Sequence, residues 1–263
     1  MTDLKRRRAI LDLVASRNSF LIKLLTSIFG LLEYNFLEFL RVLDKIFHIN
    51  SLNFIIKYLL KDKWGGRVVP LNKNIEPQVK FLPSQEILEL ITKSNVVGIA
   101  SCYCREKQRK CGIRANCTHP LNTCIHLSYG KSLHEIPFKS NNLERSSKDY
   151  VKKLLINFED IGLIHQIIFF PNPAYYYVIC NCCPCCCLIL SKFLKMGAPP
   201  LIKSDFIAVT NPELCKNCGI CVNWCYFEAR VLNTKLEINT NLCFGCGLCV
   251  GKCPEKAIIL KKK

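Results

Sequence analysis

No uncharged apolar run in the sequence reaches the ~18 residues that a membrane-spanning helix needs. The longest candidate, Leu24–Leu32, stands between Lys23 and Glu33, so no transmembrane segment is expected. An export signal of the usual form is also missing. The basic start Lys5–Arg8 leads into an apolar stretch that Asp12 interrupts, with no small-residue cleavage site after it. The residues that follow the paired arginines fit a twin-arginine signal poorly. No nucleotide motif, flavin motif or recognisable substrate pocket can be read, which leaves any substrate without a name. Acidic side chains are scarce, 20 against 37 Lys and Arg, and the formal charge is +17.

One residue type is abundant. The chain of 263 residues carries 19 cysteines, far more than an ordinary enzyme holds. Such a count means either disulfides in an oxidising compartment or thiolate ligands for metal in a reducing one. Without an export signal the expected compartment is cytoplasmic, and there cysteine clusters hold metal. Half the residues are apolar, which excludes disorder on compositional grounds. The length suffices for two modest domains with cores of their own.

The clearest pattern lies at the C-terminus. From Cys215 the sequence reads CKNCGICVNWCYFEARVL, and from Cys243 it reads CFGCGLCVGKCPEKAIIL. Each cysteine of one copy has its counterpart 28 residues away in the other, as do Gly219 and Gly247, and Ala229 and Ala257. Three cysteines at intervals of three, on a tight loop, can cap three iron corners of a cubane. In two-cluster proteins the fourth thiolate comes from the last cysteine of the other motif. This assigns Cys215, Cys218, Cys221 and Cys253 to one [4Fe–4S] cluster, and Cys243, Cys246, Cys249 and Cys225 to a second. The glycines suit a backbone wrapped around a cluster. Two zinc sites are the rival use of eight thiolates, although structural zinc usually draws on two separated Cys-x2-Cys pairs.

These residues resemble the bacterial-type two-cluster ferredoxin domain over about residues 206–263. The resemblance implies a pseudo-twofold α+β fold with short helices and hairpins around two clusters that exchange electrons. One position departs from it. The proline that follows the fourth cysteine is present as Pro254 but replaced by Tyr226, which puts the turn at Cys225 in question.

Eleven further cysteines lie between residues 100 and 190. The first group is Cys102, Cys104, Cys111, Cys117 and Cys124; the second is the run CNCCPCCC, Cys180 to Cys187. Between them a helix is expected from about Ser147 to Asp160, ending at Gly162. Strands 163–170 and 175–180, joined by PNP, then form a hairpin that delivers the run at its exit. Neighbouring cysteines on a strand point to opposite faces, so the run is read as a loop with chelating pairs Cys182/Cys185 and Cys183/Cys186. The expectation is an additional metal site drawing on both groups, with Cys102, Cys104, Cys117, Cys124, Cys182, Cys183, Cys185 and Cys186 as candidate ligands. A third iron–sulfur cluster or zinc would fill it. Buried apolar cysteines and a thiol–disulfide couple remain open. Uncharacterised microbial iron–sulfur proteins are similar across this region, in the segments Cys102-Tyr103-Cys104-Arg105 and Gly162-Leu163-Ile164-His165 and in the run itself. That similarity brings no assigned reaction. His165 is read as structural or as a proton or metal partner, and Arg105 as solvated or as a donor to sulfur.

Upstream, apolar residues at 36, 39, 40, 43, 46 and 47 show helical periodicity, and a second apolar stretch runs from about Leu52 to Leu60. The expected class is thus α+β: a mainly helical N-terminal region (1–80), a small α/β cysteine-rich middle domain with a hairpin (81–205), and a ferredoxin-like domain with two [4Fe–4S] clusters (206–263; repeats 206–234 and 235–263). Most of the basic charge falls outside the ferredoxin part. It suits acidic electron carriers, an oxidoreductase partner, or peripheral contact with an anionic membrane. Electron transfer is the leading expectation. The alternatives are a ferredoxin-fed redox enzyme with its site at the cysteine run, and a redox-sensing nucleic-acid binder, against which the sulfur-rich exit of the hairpin weighs.

Overall fold

The computed structural model describes residues 38–39, 42, 65–71, 83–110, 116–128, 143–169, 176–197 and 201–263. The helical region expected over residues 1–80 lies almost wholly outside them. Residues 38, 39 and 42 are helical, too few to support a mainly helical region, and Gly65–Val68 forms a buried strand, β1.

β1 belongs to a seven-stranded sheet with β2 (Val96–Ser101), β3 (Asn122–Ser128), β4 (Glu144–Ser146), β5 (Ile164–Phe169), β6 (Tyr176–Cys182) and β7 (Leu201–Ile202). The order is β4-β2-β3-β6-β5-β1-β7. Neighbours run antiparallel, except that β1 and β7 are parallel. Helix α1 is Pro83–Lys93, α2 Tyr103–Lys110, α3 Lys148–Asp160 and α4 Leu190–Met196.

The two-residue period of the strands separates two kinds of face. Ile125, Ile179 and Ile167 stand side by side across β3, β6 and β5, and pack against Ile87, Leu90 and Ile91 of α1 and Val151 and Leu155 of α3. Each such side chain contributes about 1.5–3 kcal/mol by leaving water. One residue along, the row reads Cys124, Cys180, Gln166 and faces the other way. With Ile164, Ile168, Val178 and Cys182 it meets α4 and the C-terminal half, through Phe227, Phe244 and Leu248.

Helix α3 begins where Ser147 accepts a hydrogen bond from the Tyr150 amide at 3.2 Å. It ends before Gly162, whose φ is +84°. The hairpin β5–β6 follows, as the sequence pattern implied.

In the C-terminal half, β8 (Phe206–Thr210) pairs with β11 (Ile258–Lys262), and β9 (Arg230–Leu232) with β10 (Leu236–Ile238). Two one-turn helices, α5 (Ile220–Asn223) and α6 (Leu248–Gly251), start after Gly219 and Gly247 in the left-handed region. The duplication extends to the backbone, since Asn217/Gly245 and Glu228/Lys256 also share positive φ. Tyr226 leaves the turn intact: Glu228 N–H donates to Cys225 O as Lys256 N–H donates to Cys253 O.

This half packs against the seven-stranded sheet and its helices. Phe227 stacks on Phe244 with centroids 4.1 Å apart, and Phe193 of α4 meets Phe244 edge-on at 5.3 Å. Tyr226 donates its hydroxyl to Gly162 O at 3.2 Å. Lys252 donates to Asp160 O at 2.6 Å while lying 4.4 Å over the Trp224 ring. Arg67 of β1 pairs with Asp205 at 2.9 Å.

Candidate metal centres

The eight C-terminal cysteines line two cavities. Cys215, Cys218, Cys221 and Cys253 line one, with Gly219 and Pro254. Cys225, Cys243, Cys246 and Cys249 line the other, with Phe244 and Arg230. Each cavity thus takes three sulfurs from one repeat and one from the other. The surrounding donors repeat as well: Ala229 N–H donates to Cys225 Sγ and Ala257 N–H to Cys253 Sγ, both at 3.3 Å. Arg230, buried between the two, donates to Cys221 Sγ at 3.8 Å, Thr210 Oγ1 at 2.8 Å and Ala208 O at 3.2 Å. Burial pushes the Cys249 thiol up to about 12 and raises Cys221 and Cys246 as well, against the pull of Arg230 on the first two. Sulfurs in such a place become thiolates when a cation takes the proton's position.

The cysteine-rich middle divides into two groups, not one. Cys182 is the last residue of β6 and shares the inner face with Cys180 and Cys124; Cys183, one step on, turns to the side of α3 and packs with Phe158 and Leu163. The eight candidate ligands expected for one additional site therefore fall into two separate groups, for the steric reason that alternate strand residues diverge.

The first group is a closed ring of six thiols. Cys102 contacts Cys104 and Cys124, Cys104 contacts Cys187, Cys187 contacts Cys182, Cys182 contacts Cys180, and Cys180 contacts Cys124. Cys182 and Cys187 bring their sulfurs within 3.1 Å. Proton affinity alternates around the ring. Hydrogen bonds from their neighbours lower Cys102, Cys187 and Cys180, the last to about 6, and correspondingly raise Cys104, Cys182 and Cys124. Gln166 stands opposite Cys180, fully buried, and neither its Oε1 nor its Nε2 has a hydrogen-bond partner among the described residues.

The second group lies beyond the end of β6. Cys117 Sγ is 3.5 Å from Cys185 Sγ and 3.5 Å from His119 Nδ1. With Cys183 these form the one group of Cys, His, Asp or Glu among the described residues whose ligand atoms all lie within 4.8 Å of one another. Cys186 is buried beside them. Desolvation would raise Cys117, but hydrogen bonds involving His119 and Cys186 hold it down at about 5.

Arg105 links the two groups. Its side chain is buried, donating to Thr123 Oγ1 at 2.9 Å, Asn181 O at 3.3 Å and Cys183 Sγ at 3.5 Å, as well as to Pro120 O. It is a donor to sulfur and not a solvated surface charge. His165 holds Asn181 Oδ1 at 2.6 Å, and Asn181 Nδ2 donates to Thr123 O at 2.6 Å, so the imidazole braces the strand under Arg105.

Sequence reasoning passed over Cys180, Cys187 and His119. The first two were within the run; His119 showed only as a Cys-x-His step. Cys111 lies outside the described residues.

Residues 236–259 match the 4Fe-4S binding domain family. Comparison with curated proteins and with solved structures finds no match. Among the described residues no helix is long and apolar enough to cross a membrane. The chain is thus a mixed α/β protein that carries a 4Fe-4S binding domain near its C-terminus, which makes it an iron–sulfur protein.

Proposed function

We propose that this is an electron-transfer protein of the cytoplasm with two [4Fe–4S] clusters in its C-terminal half. Cys215, Cys218, Cys221 and Cys253 would hold one cluster, and Cys243, Cys246, Cys249 and Cys225 the other. The observation that carries the reading is the pair of four-cysteine cavities, each borrowing one sulfur from the opposite repeat. Neither quartet belongs to the one group of three or more such ligands among the described residues that is tight enough for a single ion. That fits a cubane, whose iron corners spread their thiolates apart, better than it fits zinc.

A further iron–sulfur site in the middle domain is assigned to the ring of Cys102, Cys104, Cys124, Cys180, Cys182 and Cys187. Six adjacent thiols exceed what one tetrahedral ion can take, which favours a polynuclear group. The buried amide of Gln166 supplies a donor for an inorganic sulfide. Cys246 packs against the core that contains Cys182 and Cys187, so the second quartet adjoins the ring. The chain would pass single electrons between a partner near the first quartet and the ring. Its basic body, net +13 over the first 205 residues, suits acidic redox proteins as partners.

The test is anaerobic purification with iron and acid-labile sulfide analysis. The expected result is about eight irons from the C-terminal clusters, with more where the ring is filled. Cys218→Ser should remove one cluster's iron, and Cys102→Ser should remove only the excess. A Cys218→Ser protein with its full iron content, or wild type without a paramagnetic signal after dithionite, would overturn the assignment.

A further inference from the structure

We propose that Cys117, His119, Cys183 and Cys185 bind a single tetrahedral ion of the zinc class, in a site separate from the sulfur ring and from both C-terminal cavities. The inference does not depend on how those other sulfurs are filled.

Geometry carries it. Zinc bonds of about 2.3 Å to sulfur and 2.0–2.1 Å to imidazole nitrogen, set tetrahedrally, place two sulfurs about 3.8 Å apart and a sulfur and a nitrogen about 3.5 Å apart. Cys117 Sγ lies 3.5 Å from Cys185 Sγ and 3.5 Å from His119 Nδ1, and all four ligand atoms fall within 4.8 Å of one another. These are the edges of a coordination sphere around one ion. A cubane needs its thiolates farther apart, and the ring needs more than one metal to use its six.

The chain delivers the ligands as two separated pairs, Cys117-x-His119 from the segment before β3 and Cys183-x-Cys185 directly after β6. Three cysteines and one histidine are a closed structural zinc set. Three thiolates around a divalent cation leave one negative charge. Arg105 donates to Cys183 Sγ at 3.5 Å and Arg109 to Cys117 Sγ at 3.9 Å, and Arg109 also donates to His119 O. The two guanidiniums offset that charge and fix the loop that presents the histidine. The ion would clip this loop to the end of β6, one residue from the ring ligand Cys182, and so hold the sulfur run in register.

The experiment uses the full chain purified without air from cells supplied with iron and zinc, with elemental analysis and zinc-edge X-ray absorption. One zinc per chain is expected, with three sulfurs at about 2.3 Å and one nitrogen at about 2.0 Å. Cys117→Ser and Cys185→Ser should each lose the zinc while iron and acid-labile sulfide stay at wild-type levels. His119→Cys should keep the zinc and convert the shell to four sulfurs. Cys186→Ser should keep it unchanged. Should the serine variants fail to fold, the wild-type shell and the His119→Cys shell decide the matter. Zinc absent or replaced by iron, a wild-type shell of four sulfurs, or iron lost in step with zinc in the Cys117→Ser protein would each overturn the proposal. So would zinc that survives Cys185→Ser and is lost in Cys186→Ser.

Discussion

Gly162 sets the contact between the two halves, and Gly162→Ala measures it. Its φ of +84° costs an L-residue about 1–2 kcal/mol. A Cβ there would stand 2.3 Å from Trp224 Cζ3 and 2.9 Å from the Tyr226 hydroxyl, so these side chains or the backbone that carries them must shift. Overpacking of this kind costs about 1–3 kcal/mol, for a total of about 2–5 kcal/mol. The two contributions separate in a double-mutant cycle with Trp224→Ala, which removes the nearest obstacle. Anaerobic guanidinium unfolding, followed by circular dichroism, should give the full cost in the wild-type background. Against Trp224→Ala it should shrink toward the backbone share, about 1–2 kcal/mol. An equal cost in both backgrounds would refute the steric argument, and a cost under about 1 kcal/mol in wild type would refute the backbone one as well.

Three other outcomes follow from buried charges. Arg230→Met removes a guanidinium 3.8 Å from Cys221 Sγ; at an effective dielectric of about 20 this should lower the cluster potentials by on the order of 100 mV, and a redox titration showing no change would refute it. Burial lowers His126 to about 4, so the folded protein keeps it neutral. Its contribution is whole above the ordinary value of ~6.5 and is lost as pH falls toward 4. Wild type should lose about 2 kcal/mol more than His126→Gln between pH 7 and pH 5, a difference that parallel unfolding curves at the two pH values would disprove. Arg105→Met strands Cys183, Thr123 and Asn181 in a buried network and should cost about 3–5 kcal/mol. Arg105→Lys should recover only part of that because it lacks the planar fork; equal stability of wild type and Arg105→Met would contradict the role.

The duplicated quartets were legible because their information is local, with four cysteines, a glycine and an alanine recurring 28 residues apart. Helix α3, expected from about Ser147 to Asp160 with Gly162 at its end, and the hairpin after it were legible as one local stretch. The division of the middle sulfurs was not, although its premise was in hand. The expected strand stopped at residue 180, whereas β6 continues to Cys182, and those two residues decide which cysteines share a face. Pairing of β3 with β6, which puts Cys124 beside Cys180, spans more than fifty residues of chain and leaves no local trace. Tyr226 looked like a defect in a proline position; its hydroxyl instead reaches Gly162 O, a partner that only the folded chain supplies.

Cys218 is exposed, while Cys246 sits against the aromatic seam of Phe227 and Phe244. Under the proposed loading, a small diffusing oxidant meets one cubane at the exposed Cys218 before it reaches the other. Damage in air should then run inward in a fixed sequence, with the outer cube bleached first and its twin spared until the two halves part.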